Sequence, residues 1–267
     1  MGCGSAVAEI ASLDGTRLHV EVDGEGEPVT VFAHGLTNSC MELAAFTPMA
    51  AGTKVRFCFR GHAHSGTPEP GHYRFADFAD DLDAVATAYG ATRAVGTSLG
   101  QGAIAHLLGR DPDRFERIVF ILPAALDVRM TDHPRFDRVA DLLETLPTDE
   151  AIEAIVADSK RRADYDEKPW LRELDLFLWQ DLNGVGVARA VREITRDVAI
   201  DDRQLLRAVT APTLILCQEG DEIHPLELGV VLADLMPNAE LVVMGSEEEM
   251  LARLPELVAR VAAFLAG

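Results

Sequence analysis

At residues 95–102 the chain reads "VGTSLGQG", a serine between two glycines at the join of an apolar run and an amphipathic one. Joins of this kind recur along the sequence, and the recurrence restricts the fold. The runs "PVTVFA" (28–33), "KVRFCF" (54–59), "TRAVG" (92–96), "RIVFIL" (117–122), "TLILCQ" (213–218) and "ELVVM" (240–244) are short, rich in β-branched residues and bounded by turn residues. Each reads as a strand buried on both faces. Helical periodicity fills the gaps, around Met41 to Ala50 and over 75–90, 100–110, 225–236 and 250–266, with Gly90 placed to cap its helix. Two further strand-like runs, Val7 to Ile10 and Arg17 to Val22, open the chain around the turn "DGT". Strand–helix alternation predicts an α/β fold with a mostly parallel central sheet and helices on both faces.

Between Ala124 and Ala199 the strands stop, and the sequence is helical in pattern, charged and Arg-rich. The β–α rhythm then resumes, which is how an inserted element looks. The expected organisation is a core of residues 1–123 and 200–267 carrying a helical cap of 124–199. A chain of 267 residues with 48% hydrophobic content can bury one core of that size. Trp170, Phe177 and Trp179 lie near the middle of the insertion and have two readings, packing of cap on core or lining for an apolar substrate.

A formal net charge of −20 repels phosphate backbones and anionic lipid, so nucleic acid and membrane partners are not expected. No stretch has the length of a transmembrane helix, and the opening "MGCGSAVAEIAS" lacks the basic and apolar regions of a secretory leader. Ala6 also breaks the myristoylation pattern. The four cysteines, Cys3, Cys40, Cys58 and Cys217, have no metal-ligand spacing. We therefore expect a cytoplasmic protein with reduced thiols, no metal and no organic cofactor.

The serine-centred turn carries the chemistry. Gly96-Thr97-Ser98-Leu99-Gly100 has the G-x-S-x-G form, in which side-chain-free neighbours let a strand turn sharply into a helix and leave the serine hydroxyl exposed. The Leu99 N–H then faces a developing oxyanion from the helix N-terminus. "VFAHGLTNS" (31–39) follows an earlier strand and frames a second donor at the Leu36 N–H, with His34 as a residue of that loop. "FRGHAHSGTP" (59–68) forms an Arg-Gly-His turn, and "TLILCQEGDEIHP" (213–225) ends a strand at Asp221, a carboxylate able to orient an imidazole.

Over nearly its whole length the chain resembles the α/β-hydrolase superfamily in its capped single-domain form. The resemblance rests on His34-Gly35, Arg60-Gly61-His62, the turn around Ser98, Asp221 four residues before Pro225, and the final strand–helix pair. It implies Ser98 as nucleophile, Leu36 and Leu99 as oxyanion donors and Asp221 as the acid. It also implies a histidine just after the last strand, where this chain has "MGSEEEMLARLPE" (244–256) and Glu248 at that position. No histidine follows His224, while Cys58 and Ala63 replace the family's frequent Asp and Gly.

Three readings stay open. In the first, an ester, lactone or thioester hydrolase acting on a small molecule or peptide takes its base from elsewhere, with His224 the first candidate and His62 and His64 behind it. In the second, Asp221 and Glu248 form a carboxyl pair for the isomerase, epimerase, cyclase or lyase chemistry of specialised metabolism. In the third, the pocket binds a ligand without turnover. The oligomeric state is not legible.

Overall fold

The structure, a computed structural model, describes residues 6–130 and 133–267. Cys3 and the first residues of the leader reading lie outside them. Eight strands form one sheet in the order β1-β2-β4-β3-β5-β6-β7-β8. They are β1 (Ala6–Ala11), β2 (Arg17–Asp23), β3 (Val29–Ala33), β4 (Thr53–Phe57), β5 (Arg93–Ser98), β6 (Arg117–Pro123), β7 (Thr213–Gln218) and β8 (Ala239–Met244). β1 and β2 pair antiparallel, β2 joins β4 antiparallel, and all later pairings are parallel. This is the α/β-hydrolase arrangement that the resemblance implied.

Period-two alternation divides the core between the faces of the sheet. Val31, Ala33, Ala94, Ile118, Phe120, Ile215 and Cys217 pack under α1 (Phe75–Tyr89), α2 (Leu99–Arg110) and α7 (Leu226–Leu235). Their neighbours Phe32, Val95, Val119, Ile121, Leu214 and Leu216 meet the other face, covered by α9 (Leu254–Ala266) and the turns around Leu43 and Phe46. Gly90 closes α1 with φ 66°, the left-handed conformation expected of a C-cap glycine.

The Met41–Ala50 helix does not form. Only Ala44–Phe46 is helical there, as a single 3₁₀ turn. Pro48 has no N–H to offer Ala44, and the Thr47 hydroxyl donates to the Ala44 carbonyl instead, at 2.9 Å. The predicted 250–266 helix is two, α8 (Glu247–Ala252) and α9, because the chain breaks at Arg253 just before Pro255.

Between β6 and β7 the described residues contain no strand. They hold α3 (Pro134–Thr145), α4 (Thr148–Ala157), α5 (Pro169–Leu178) and α6 (Gly184–Ile194). α3, α4 and α6 share an apolar cluster of their own, including Val139, Leu143, Ile155 and Val187. α6 also reaches the main core through Ala190 and Ile194. Its approach is close: a Cβ on Gly186 would stand 2.2 Å from the Gly61 carbonyl oxygen. No helix among the described residues is long and apolar enough to cross a membrane.

The Arg-Gly-His turn proves structural. Arg60 is buried and donates from Nη2 to Asp81 Oδ1 at 2.6 Å and from Nε to Oδ2 at 3.0 Å, while its backbone N–H reaches the same Oδ2. Asp14, Ser12 and the His72 carbonyl take further guanidinium N–H groups. One arginine thus ties the β4 exit to α1 and to the β1–β2 turn. Removing one partner of a buried pair leaves the other charge uncompensated, which costs about 3–5 kcal/mol. Asp81→Ala is expected to lose stability on that scale in urea unfolding, and a loss below about 1 kcal/mol, the range of exposed pairs, would contradict this account.

Candidate functional site

Ser98 ends β5 and caps α2 with φ 50° and ψ −107°, a strained backbone for a residue with a side chain. The two glycines of the motif make the turn possible by close approach. A Cβ on Gly100 would lie 2.1 Å from the Ala33 carbonyl oxygen, and one on Gly96 would meet Ile104 Cδ1 at 2.6 Å and Gly100 at 2.7 Å. The Gly100 N–H donates to the His34 carbonyl at 3.1 Å, which locks the turn onto the end of β3.

His224 supplies the imidazole. Its Nε2 lies 3.1 Å from Ser98 Oγ, and its Nδ1 lies 2.9 Å from Asp221 Oδ2. Asp221 and His224 stand three residues apart on the loop that leaves β7, so acid and imidazole share one turn. The other Asp221 oxygen accepts the backbone N–H groups of Ile223 at 3.0 Å and His224 at 3.3 Å. Pro225 follows at the start of α7 and narrows the backbone freedom of His224. Both side chains are partly buried, at 17% and 11% exposure. Burial works to raise the Asp221 pKa, but the His224 hydrogen bond and charge, the Ile223 N–H and Lys160 outweigh it and hold the carboxylate well below the usual range. A charged acceptor on Nδ1 leaves Nε2 as the lone-pair nitrogen facing Ser98.

Glu248 is not part of this arrangement. It stands in the first turn of α8 with a side chain 81% exposed, and it pairs with Lys168 at 3.0 Å. Its neighbours are engaged likewise, Glu247 with Arg161 at 2.5 Å and Glu249 with Arg253 at 3.4 Å. Three acids at a helix N-terminus also favour its dipole. The expected carboxyl pair of Asp221 and Glu248 is therefore corrected. The Glu248 carboxylate faces solvent and Lys168, and the Asp221 carboxylate faces His224.

The other histidines singled out in the sequence, His34, His62 and His64, lie elsewhere. His34 is buried, with Nδ1 2.7 Å from the Gly35 carbonyl and Nε2 accepting the Phe59 N–H at 3.0 Å. Burial, with the nearby His62, lowers its pKa to about 3. His62 is also buried, which lowers its pKa to about 4, and its Nδ1 meets the Arg60 carbonyl. His64 stacks edge-on to His19.

A narrow pocket opens beside Ser98. Leu36 and Leu99 lie next to the serine, and Phe75, Ala125, Val128, Met130, Phe136 and Ile194 contribute to the walls. The expected aromatic lining is corrected in part. Trp170 and Phe177 are 51% and 45% exposed and lie outside this pocket. α5 is amphipathic, and Leu171 and Asp175 are the residues it buries. Trp179 packs against the apolar clusters of the helical segment and borders a separate cleft with Asn38 and Arg135.

Two supports were not anticipated. Glu42 accepts the Gly35 N–H at 2.6 Å and the Asn38 side-chain amide at 2.8 Å, fastening the loop that carries Leu36. Burial pushes its carboxyl up to about 7 against the opposing Gly35 N–H. Gln101 accepts the N–H groups of Ala124 and Ala125 and donates to the Ala125 carbonyl, fixing the pocket wall that leaves β6. A Glu seven residues from a glycine, or a Gln three residues past the serine, has no pattern that marks it.

Residues 57–251 match the alpha/beta hydrolase fold family, and the chain belongs to it. Solved structures of the same architecture include a hydrolase from Pseudomonas aeruginosa PA01, 22% identical with a TM-score of 0.77, aligned over 100% of both chains. An enol-lactonase from Burkholderia xenovorans LB400 is 21% identical with a TM-score of 0.80, covering 97% of this chain and 100% of its own. An esterase from Exiguobacterium antarcticum is 18% identical with a TM-score of 0.76, covering 98% and 100%. At these identities the likeness is one of fold. No curated protein sequence matches the chain at a significant level.

The contacts around Gly100 give a direct check. Gly100→Ala places a methyl group against the Ala33 carbonyl, and overpacking of this kind costs about 1–3 kcal/mol. A lowered melting temperature is expected. An unchanged one would mean that the turn stands farther from β3 than described.

Proposed function

We propose that the protein is a serine hydrolase of carboxylic esters or lactones in which the catalytic base has moved onto the turn of the catalytic acid. The observation that carries this reading is His224, bridging Ser98 Oγ and Asp221 Oδ2 at hydrogen-bond distance on both sides.

The chemistry follows from that bridge. Ser98 Oγ attacks the substrate carbonyl while His224 Nε2 takes its proton. Asp221 keeps the imidazole in the tautomer with the proton on Nδ1 and stabilises the imidazolium that forms. The N–H groups of Leu36 and Leu99 serve the oxyanion, the second from the N-terminus of α2. Glu42 holds the first donor loop in place. His224 then returns the proton to the leaving alcohol, and water cleaves the acyl-enzyme by the same route. The mostly apolar walls suit an uncharged acyl group, and among the described lining residues Asp197 carries the charge, with no Lys or Arg to offset an anionic group. The helical segment between β6 and β7 acts as a cap, since Met130, Phe136 and Ile194 close the pocket from that side. The esterase and enol-lactonase among the solved structures of this fold fit the same substrate class.

Steady-state hydrolysis of p-nitrophenyl esters and of small lactones tests the proposal. Saturable turnover is expected in the wild type. Ser98→Ala or His224→Ala should lower kcat by about 10⁴–10⁶, and Asp221→Asn by about 10⁴ through the wrong tautomer. Glu248→Ala should leave kcat unchanged. Equal turnover by the wild type and His224→Ala, or loss of turnover in Glu248→Ala alone, would refute it.

A further inference from the structure

On the far side of the loop that follows β3, His19, Glu21 and Cys40 come together. His19 and Glu21 alternate on β2 and so share one face of that strand. His19 Nε2 lies 3.3 Å from Glu21 Oε1, and Cys40 Sγ lies 3.5 Å from the same oxygen. All three donor atoms fall within 4.8 Å of one another. A tetrahedral zinc ion with bonds of about 2.0–2.3 Å to N, O and S has ligand-to-ligand edges of roughly 3.3–3.7 Å. The two edges at Glu21 Oε1 fall in that range, and the third, His19 Nε2 to Cys40 Sγ, lies within 4.8 Å and closes to it by a small side-chain rotation as the ion binds.

We propose that His19, Glu21 and Cys40 form a binding site for a zinc-class divalent ion, with the fourth position open to water. One imidazole, one carboxylate and one thiolate make a borderline-soft donor set, which selects zinc over magnesium or calcium. The thiolate and carboxylate together balance a divalent charge, and the Cys40 proton leaves to solvent as the ion binds. Arg56 Nη2 holds the other oxygen of Glu21 at 2.9 Å and is itself shared with Asp23, so the carboxylate is oriented from behind as a metal-bound carboxylate usually is. Cys40 is buried, while the His19 and Glu21 side chains are 12% and 19% exposed, which gives the ion a path in from solvent. The Cys40 N–H donates to Cys58 Sγ at 3.4 Å, which keeps Cys40 on the strand side of its loop. An occupied site would tie the loop bearing Leu36 and Glu42 to β2. Sequence spacing could not announce it, because the ligands come from a strand and from a loop about twenty residues later.

Titration of the chelator-treated full-length protein with Co²⁺ under reducing, oxygen-free conditions reads the site directly. One equivalent is expected to produce a thiolate-to-cobalt charge-transfer band, and added Zn²⁺ should abolish it. The band should disappear in Cys40→Ser and persist in Cys58→Ser, and Co²⁺ affinity should fall about tenfold or more in His19→Ala and in Glu21→Gln. Circular dichroism confirms that each variant is folded. If Cys40→Ser does not fold, the surface-side His19→Ala decides the matter. Absence of a thiolate band in the folded wild type overturns the proposal. So does a band that follows Cys58 or Cys217 instead of Cys40, or an affinity indifferent to His19 and Glu21.

Discussion

The backbone of Ser98, held at positive φ between β5 and α2, is the constraint on which the rest of the site depends. It persists because Gly96 and Gly100 let the turn press against Ile104 and the end of β3, where any side chain would collide. That contact does two things. It raises the serine hydroxyl above the C-terminal ends of the parallel strands. It also brings the β3 exit, with Gly35 and Leu36, to the N-terminus of α2. Gln101 on the same helix then fixes the β6 exit. One tight turn thus sets the hydroxyl, both proposed oxyanion donors and one wall of the pocket.

The other half of the site turns on where an imidazole can reach that hydroxyl. The loops after β7 and β8 both emerge at the same edge of the sheet, since the two strands are parallel neighbours. In this chain the β7 loop carries Asp221 and His224 together, and three hydrogen bonds to the Asp221 carboxylate shape a single turn. On the proposed function, the β8 loop takes no part in the chemistry. Its three glutamates pair with Arg161, Lys168 and Arg253, two of which belong to the helical segment over the pocket. Two of the three acids that look like a defect in the site are ties between α8 and the helical segment between β6 and β7.

Much of the fold was legible because its signals are local. Buried strands are short apolar runs, and the two sides of each are resolved by period two. The serine turn is written in two glycines. What was not legible depends on one local competition and otherwise on contacts between distant segments. Met41–Ala50 has helical periodicity, yet Pro48 and the Thr47 hydroxyl undo it. Trp170 and Phe177 are the most conspicuous apolar side chains of their region, but α5 turns them to solvent, while Phe136, Met130 and Ile194 line the pocket beside Ser98. The Gly61–Gly186 approach that seats α6 joins segments more than a hundred residues apart. His224 was visible as a candidate, but a histidine three residues past an aspartate carries no mark of its role until Ser98 arrives from β5. Family position pointed to Glu248; geometry points to His224.

The central claim is that Ser98 is activated by His224, with no part played by the β8 loop. The labelling rate of Ser98 by a fluorophosphonate measures that activation in one step, independent of substrate choice. The account predicts rapid stoichiometric labelling of the wild type on Ser98, the same rate in Glu248→Ala, and a rate lower by about 10²–10⁴ in folded His224→Ala, the usual worth of a general base. Labelling of His224→Ala as fast as the wild type, or a wild type that does not label, would contradict it.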